Sequence, residues 1–160
     1  MQIYLLRHGT AEEARTGQAD ADRALTQEGQ DKLRRVLRRA KAAGARPSSI
    51  FSSPLRRALE TAAIALEVLE HTGKVIEWHA LVPEASPEDL WQEIRQRTGD
   101  SAILLASHEP LMSTAAAHLL GSPALQVDMK KAALVRVDCE RLGRDPRGVL
   151  KWMLTPGVCE

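Results

Sequence analysis

Apolar and polar positions along the chain alternate between short extended runs and longer helical patterns. The short runs rich in β-forming residues are Gln2–Leu6, Ser49–Ser52, Lys74–Trp78, Ser101–Ala106, Ala132–Asp138 and Val149–Leu154. Each of the first four precedes a stretch with apolar residues at helical spacing. The first helix is predicted to begin after Thr26, a typical capping residue, and to end at Gly44. Ser53-Pro54, Ser86-Pro87 and Pro110 mark the predicted starts of the other three helices.

The alternation of strands and helices predicts an α/β fold with a mostly parallel central sheet and helices on both faces. Ser101–Ala106 is apolar throughout, as expected for a strand that is buried on both sides. The last two runs are separated by a turn rich in glycine and proline at residues 143–148, which suits an antiparallel edge. We therefore predict a three-layer sandwich.

Length and composition support one ordinary globular domain. The chain has 160 residues, of which 44% are hydrophobic and 27% charged. We expect residues 1–160 to form a single domain. Met1 leads directly into a strand, without the layout of a signal peptide, and two cysteines are too few to frame a disulfide scaffold. These features predict a cytoplasmic protein.

The charge balance argues against a nucleic acid or a membrane as the partner. Lysine and arginine total 22 and aspartate and glutamate total 21, for a net charge of +1. The first helix is nonetheless basic over residues 30–41, which is compatible with a solvated face, a nucleic-acid face or a surface that docks an acidic protein. Aromatic residues that could stack on bases make up only 3% of the chain, so we favour the solvated face.

Candidate chemistry is concentrated where the predicted strands end. The polar residues at these junctions are Arg7, His8, Ser52, Ser53, Arg56, Arg57, Glu84, Ser107, His108 and Glu109. Ligands of parallel α/β sheets bind outside the carboxyl ends of the strands, so these side chains are expected to share one crevice. Two histidines and at least two arginines there predict an anion site.

His8 is the candidate nucleophile of this site. A neutral imidazole can attack phosphorus directly and form a phosphohistidine, while guanidinium groups hold the equatorial oxygens. Gly9 would allow a sharp turn or the close approach of a ligand. A structural role for the histidine is the alternative at this point.

Four stretches together resemble the signature of the histidine phosphatase superfamily, which includes the phosphoglycerate mutases. They are Arg7-His8-Gly9, Leu25-Thr26-x-x-Gly29, Ser53-x-x-x-Arg57-Ala58-x-x-Thr61 and Ser107-His108. The short chain leaves no room for the helical subdomain that many members insert. This shortness, Ala11 after the first motif and Pro110 after His108 resemble the SixA-type phosphohistidine phosphatases. The resemblance implies a phosphoglycerate mutase-like fold.

The resemblance also implies roles for individual residues. His8 would take the phosphoryl group, and Arg7, Arg57 and His108 would surround it, with His108 protonated in the complex; Gly9 would lie against the phosphate. No metal and no other cofactor is implied. The implied substrate is a histidine-phosphorylated protein of a signalling relay. We expect a monomer or a weak homo-oligomer.

Glu84 separates this interpretation from a second one. A phosphomonoester releases an alkoxide and needs a general acid, whereas phosphohistidine has a labile P–N bond. In larger relatives a glutamate after the third strand supplies the proton, and Glu84 occupies that region here. It is either such an acid or a loop carboxylate near a helix start. A small-molecule phosphomonoesterase that uses Glu84, and a phospho-ligand binding module with little turnover, are therefore kept as alternatives.

Overall fold

Six strands form one mixed sheet in the computed structural model, which describes residues 1–160. The strands are β1 (Gln2–Arg7), β2 (Ser49–Ser52), β3 (Val75–Glu77), β4 (Ala102–Ser107), β5 (Leu134–Asp138) and β6 (Val149–Leu154). Their order across the sheet is β3-β2-β4-β1-β5-β6. The pairs among β1, β2, β3 and β4 are parallel, whereas β1–β5 and β5–β6 are antiparallel. The predicted α/β class with an antiparallel edge is confirmed.

Four helices cover the two faces of the sheet. They are α1 (Gln27–Ala42), α2 (Arg56–Val68), α3 (Pro87–Arg95) and α4 (Leu111–Leu119). Successive side chains of β1 point to opposite faces. Ile3 therefore packs in a core with α3 and α4, and Tyr4 packs in a second core with α1 and α2. None of the helices is long and apolar enough to cross a membrane.

Two of the predicted helix starts are confirmed by their capping hydrogen bonds. The Thr26 side chain accepts a hydrogen bond from the Gly29 N–H (2.9 Å) at the start of α1. The Ser86 side chain accepts one from the Asp89 N–H (3.1 Å), and Pro87 is the first residue of α3. Each cap satisfies a backbone donor that the first turn of a helix leaves unpaired.

The predicted start of α2 is wrong, and of its predicted buried face only Ala62 is fully buried. The helix begins at Arg56 with Leu55 as its N-cap, after a bend at Pro54 and Leu55 that separates it from β2. The apolar residues at helical spacing in this segment, Leu59, Ala62, Ala63 and Leu66, predict the buried face. The buried residues are instead Arg57, Ala58, Thr61, Ala62, Ile64 and Ala65. Arg57 and Thr61 lie on the inner face because Arg57 contacts Asp20 and Thr61 accepts from the Gly9 N–H. A count of apolar residues does not take such polar partners into account.

Candidate active site

The carboxyl ends of β1, β2 and β4 bring the predicted residues to one edge of the sheet. Arg7 is in register with Ser107, and Ser52 is in register with Ala106. His8, Ser53 and His108 are the residues that directly follow these three strands. Arg57 reaches the same edge from the first turn of α2. The rings of His8 and His108 lie 5.1 Å apart between centroids, so the two predicted histidines do meet.

His8 is fixed in one orientation by its own neighbourhood. Its backbone N–H donates to the Ser107 carbonyl (2.9 Å), and its carbonyl accepts from the Ala132 N–H (3.1 Å). Its ring atom Nδ1 lies 2.7 Å from the Gly9 carbonyl oxygen. A carbonyl oxygen only accepts hydrogen bonds, so Nδ1 carries the proton. The lone pair of the neutral ring is therefore on Nε2.

The surroundings of His8 keep its ring neutral. Burial lowers the pKa of His8 to about 4, and the charges of Arg57 and Arg7 act in the same direction, against the hydrogen bond to Gly9. The side chain is buried but retains 7% exposure. At neutral pH His8 therefore presents an uncharged, oriented nitrogen beside cationic groups, which is the form that a nucleophile requires.

His108 faces His8 and is also neutral without a ligand. The pKa of His108 is lowered to about 3, mainly by burial and then by the charges of a protonated His8 and of Arg57, whereas Asp20 opposes them. Its Nε2 lies 2.8 Å from the hydroxyl oxygen of Ser53, and its buried Nδ1 has no partner. A bound anion would reverse the sign of the local field and favour the protonated ring.

Arg57 is held by a residue that the sequence did not single out. Its Nη1 donates to the Asp20 carbonyl (3.1 Å), and its Nη2 lies 3.1 Å from the Asp20 carboxylate. Asp20 belongs to a 3-10 turn, Asp20–Asp22, in the connection between β1 and α1. Partial burial raises the pKa of Asp20, but the charges of Arg57 and Arg23 outweigh it and leave the pKa lowered. Asp20 is therefore an ionised partner of the site.

Thr61, the last residue of the motif that contains Arg57, links Gly9 to Arg57. Its hydroxyl oxygen accepts a hydrogen bond from the Gly9 N–H (3.2 Å) and donates to the Arg57 carbonyl (2.7 Å). A Cβ on Gly9 would lie 3.2 Å from the Gly29 carbonyl oxygen, and one on Gly29 would collide with the carbonyl of Thr10. These two glycines allow the start of α1 to pack against the segment that follows His8. The predicted contact of Gly9 with phosphate stays a prediction.

Arg7 is the last residue of β1 and directly precedes His8. Its Nη1 donates to the Met129 carbonyl (2.7 Å), and its buried Nε has no partner. The positive charge of Arg7 contributes, after burial and the charge of Arg57, to the lowered pKa of both histidines. A guanidinium nitrogen without a partner is available to an anion.

Glu84 is less integrated than the other predicted residues. It is exposed in the turn after β3 and makes no hydrogen bond or ion pair with His8, His108 or Arg57. It lines a separate cavity of about 470 Å³ together with Asp89 and Glu93. Its role as an acid stays a prediction. Nowhere are three or more His, Cys, Asp or Glu side chains grouped so that they could hold a metal ion.

The six-stranded mixed sheet with four helices on its two faces is a phosphoglycerate mutase-like fold, and comparison with known proteins agrees. The model of the histidine phosphatase superfamily (branch 1) matches residues 3–82. An uncharacterised protein of Picosynechococcus sp. is 31% identical over 140 residues, which span 84% of this chain and 83% of that protein. The chain belongs to the histidine phosphatase superfamily.

Solved structures of similar fold differ in the substrate that their names imply. The protein histidine phosphatase SixA, complexed with tungstate, matches with a TM-score of 0.85 and 23% identity, over 100% of both chains. The alpha-ribazole phosphatase of Shigella flexneri matches with a TM-score of 0.70 and 17% identity, over 98% of this chain and 97% of that one. At these identities the likeness concerns the fold, so the substrate has to be argued from the site.

Proposed function

We propose that this protein is a phosphohistidine phosphatase that acts on histidine-phosphorylated signalling proteins through a covalent intermediate on His8. One observation carries the proposal: the 2.7 Å contact of His8 Nδ1 with the Gly9 carbonyl, which assigns the lone pair to Nε2. The lowered pKa keeps this nitrogen unprotonated at neutral pH. Arg57 and His108 beside it can bind the phosphoryl group.

The reaction takes place in two transfers. His8 Nε2 attacks phosphorus, a new N–P bond forms, and the N–P bond of the substrate breaks. The substrate imidazole departs as a neutral ring when its other nitrogen carries a proton. Water then attacks the phosphorus on His8, the N–P bond to His8 breaks, and inorganic phosphate takes up the proton that the water loses. Arg7, Arg57 and His108 hold the phosphoryl oxygens in both steps.

The carboxylates around the site favour a P–N donor over an ester. Asp20 is the carboxylate in contact with Arg57, and its lowered pKa leaves it ionised, so it holds no proton to donate at neutral pH. Glu84 is exposed and lines another cavity. A phosphomonoester would need an acid at this point, whereas transfer between two imidazoles is close to thermoneutral and depends less on one.

A small-molecule phosphomonoesterase is the second candidate. It is favoured by the similar fold of the alpha-ribazole phosphatase, whose name implies a small phosphate ester as substrate. In that case Glu84 would have to supply the proton to the leaving alkoxide. Because Glu84 lies in an exposed turn, a substrate of this class would have to bridge it and His8.

Phosphate release from two substrates in the presence of EDTA tests the proposal. A histidine-phosphorylated protein and a phosphoserine peptide are incubated with wild type and with His8→Ala. We expect rapid release from phosphohistidine alone, a loss of about a thousandfold or more in His8→Ala, and no effect of EDTA. Comparable release from the serine ester would support the phosphomonoesterase. Tungstate binding without release from either substrate would support the binding module.

A further inference from the structure

A basic cavity adjoins the candidate active site on the side of Arg7. Its volume is about 540 Å³. We call it the lysine pocket; its side chains include Arg7, Thr10, Lys32, Lys130, Lys131 and Thr155. Its lining contains no aspartate or glutamate. The chain as a whole is almost neutral, with a net charge of +1, so this concentration of cations is local.

The loop that carries Lys130 and Lys131 is fastened to the end of β1. Arg7 Nη1 donates to the Met129 carbonyl at 2.7 Å, and the Ala132 N–H donates to the His8 carbonyl at 3.1 Å. The charge of Lys131 contributes to the lowered pKa of His8, so this lysine is within electrostatic reach of the ring. The lysine pocket therefore lies beside the end of β1, and Arg7 belongs both to the pocket and to the candidate active site.

The cations of the lysine pocket are available to a ligand. Lys131 forms no ion pair, and its side chain is exposed. Lys130 pairs with Asp128 at 3.0 Å and Lys32 with Glu28 at 2.8 Å, but the two carboxylates are 77% and 75% exposed. Such exposed pairs contribute little and exchange readily with other partners. A second anion near the transferred phosphate would therefore bind without the loss of a strong internal contact.

We propose that the lysine pocket binds carboxylates on the surface of the protein substrate, next to its phosphorylated histidine. This inference rests on the proposed function and adds the class of protein that the site selects: one whose phosphohistidine is flanked by aspartate or glutamate. The charge of the pocket is complementary to such a surface. Lys130 is itself 67% exposed, so the ligand meets it from outside, as a docked protein surface would.

Two consequences follow from this geometry. Electrostatic attraction would orient the protein so that the phosphorylated side chain enters beside Arg7 and reaches His8. Because the cations are exposed, their effect should weaken as salt rises, mainly through slower association.

A cycle of charge changes on both proteins tests the proposal. The enzyme variant is Lys130→Gln with Lys131→Gln, and the control is Lys74→Gln with Lys151→Gln, two exposed lysines outside the lysine pocket. Each enzyme is assayed on a histidine-phosphorylated protein with acidic neighbours and on the same protein with those neighbours changed to amides. We expect the pocket variant to lose about tenfold in kcat/KM on the acidic substrate. On the neutralised substrate it should lose about threefold or less, and the control should treat both substrates as wild type does.

Equal losses on the two substrates would overturn the proposal. So would a small carboxylate-bearing phosphomonoester that is hydrolysed by wild type and shows the same dependence on the two lysines, because the pocket would then serve a small molecule.

An NMR titration separates this inference from the proposed function. The unphosphorylated acidic protein is added to the enzyme while the amide signals of residues 128–133 are followed. Shifts in wild type that the pocket variant abolishes would support the lysine pocket even if no phosphohistidine were hydrolysed. Absence of those shifts, with hydrolysis intact, would refute the lysine pocket alone.

Discussion

The central strands β1 and β4 and the edge strand β3 differ in how firmly they position the candidate catalytic residues that follow them. At the ends of β1 and β4, His8 and His108 are buried and have defined ring contacts. After β3, which has only three residues, Glu84 is exposed in a turn. A central strand is hydrogen-bonded to a neighbouring strand on each side, so the residue that follows it has a well-defined position. An edge strand leaves the next turn with fewer constraints.

This difference indicates which residues phosphoryl transfer can depend on. A nucleophile has to be oriented and partly desolvated before the substrate arrives, and His8 meets both conditions. A general acid on an exposed turn would have to be positioned by the substrate itself. The comparison therefore predicts large effects for changes at the central strand ends and small ones at Glu84.

Arg57→Ala should give the largest effect among the supporting residues. The variant removes the buried guanidinium beside the two histidines, so phosphate-analogue binding and turnover should fall together, with kcat/KM lowered about a hundredfold. Tungstate affinity by calorimetry and phosphate release measure the two losses. Arg57→Lys, which keeps the charge but not the planar fork, should recover only part of them. Full activity in Arg57→Ala would show that the residues at the ends of the central strands are not required for turnover.

Acid should destabilise the protein through the two buried histidines. The folded pKa values are about 4 for His8 and about 3 for His108, both below the ordinary 6.5. As the pH falls below 6.5 the unfolded chain binds these protons first, so the free energy of unfolding decreases down to the folded pKa values. Urea unfolding gives the free energy of unfolding at pH 7 and at pH 4.5. We expect the decrease between the two pH values to be smaller in the double variant His8→Asn, His108→Gln than in wild type, by about 1 kcal/mol or more. Equal losses would place the acid sensitivity elsewhere.

Asp20→Asn should moderately strengthen the binding of phosphate analogues, whereas Arg57→Ala should weaken it. The carboxylate of Asp20 contacts the guanidinium of Arg57. If Arg57 binds the phosphoryl group as proposed, this carboxylate would compete for the guanidinium and its negative charge would repel the anion. We expect vanadate to inhibit the variant about threefold more tightly, since only the charge is removed and the Asp20 carbonyl contact remains. Asp22→Asn, in the same turn, serves as the control. Weaker inhibition would mean that Asp20 orients Arg57 more than it competes with phosphate.

Glu84→Gln should have the smallest effect. With a phosphohistidine substrate we expect kcat to change less than about twofold, because the P–N bond depends little on an acid. Glu93→Gln, in the same cavity, is the matched control. A selective loss of kcat in Glu84→Gln, with a shifted pH profile, would show that the exposed turn takes part in the chemistry.

The fold and the centre of the site could be predicted because both depend on local patterns. The run Gln2–Leu6 and the residues after it identified a strand end with His8, and Ser101–Ala106 did the same for His108. The buried face of α2 could not be predicted, because Arg57 and Thr61 are polar residues whose partners lie on other elements. Asp20 was missed because its contact with Arg57 joins residues 37 positions apart, and no spacing rule covers such a loop. The lysine pocket likewise combines α1, the loop before β5 and the C-terminal turn.

We propose that His8 carries the phosphoryl group during turnover, and a direct test is to trap the phosphohistidine on His8. Wild type is mixed with a histidine-phosphorylated protein, quenched in alkali within the first turnover, digested and analysed by mass spectrometry. We expect one acid-labile phosphoryl group on the peptide that contains His8, absent from His8→Ala and still present in Glu84→Gln. Phosphate release at the wild-type rate from His8→Ala, or a phosphoryl group trapped on His108 instead, would contradict it.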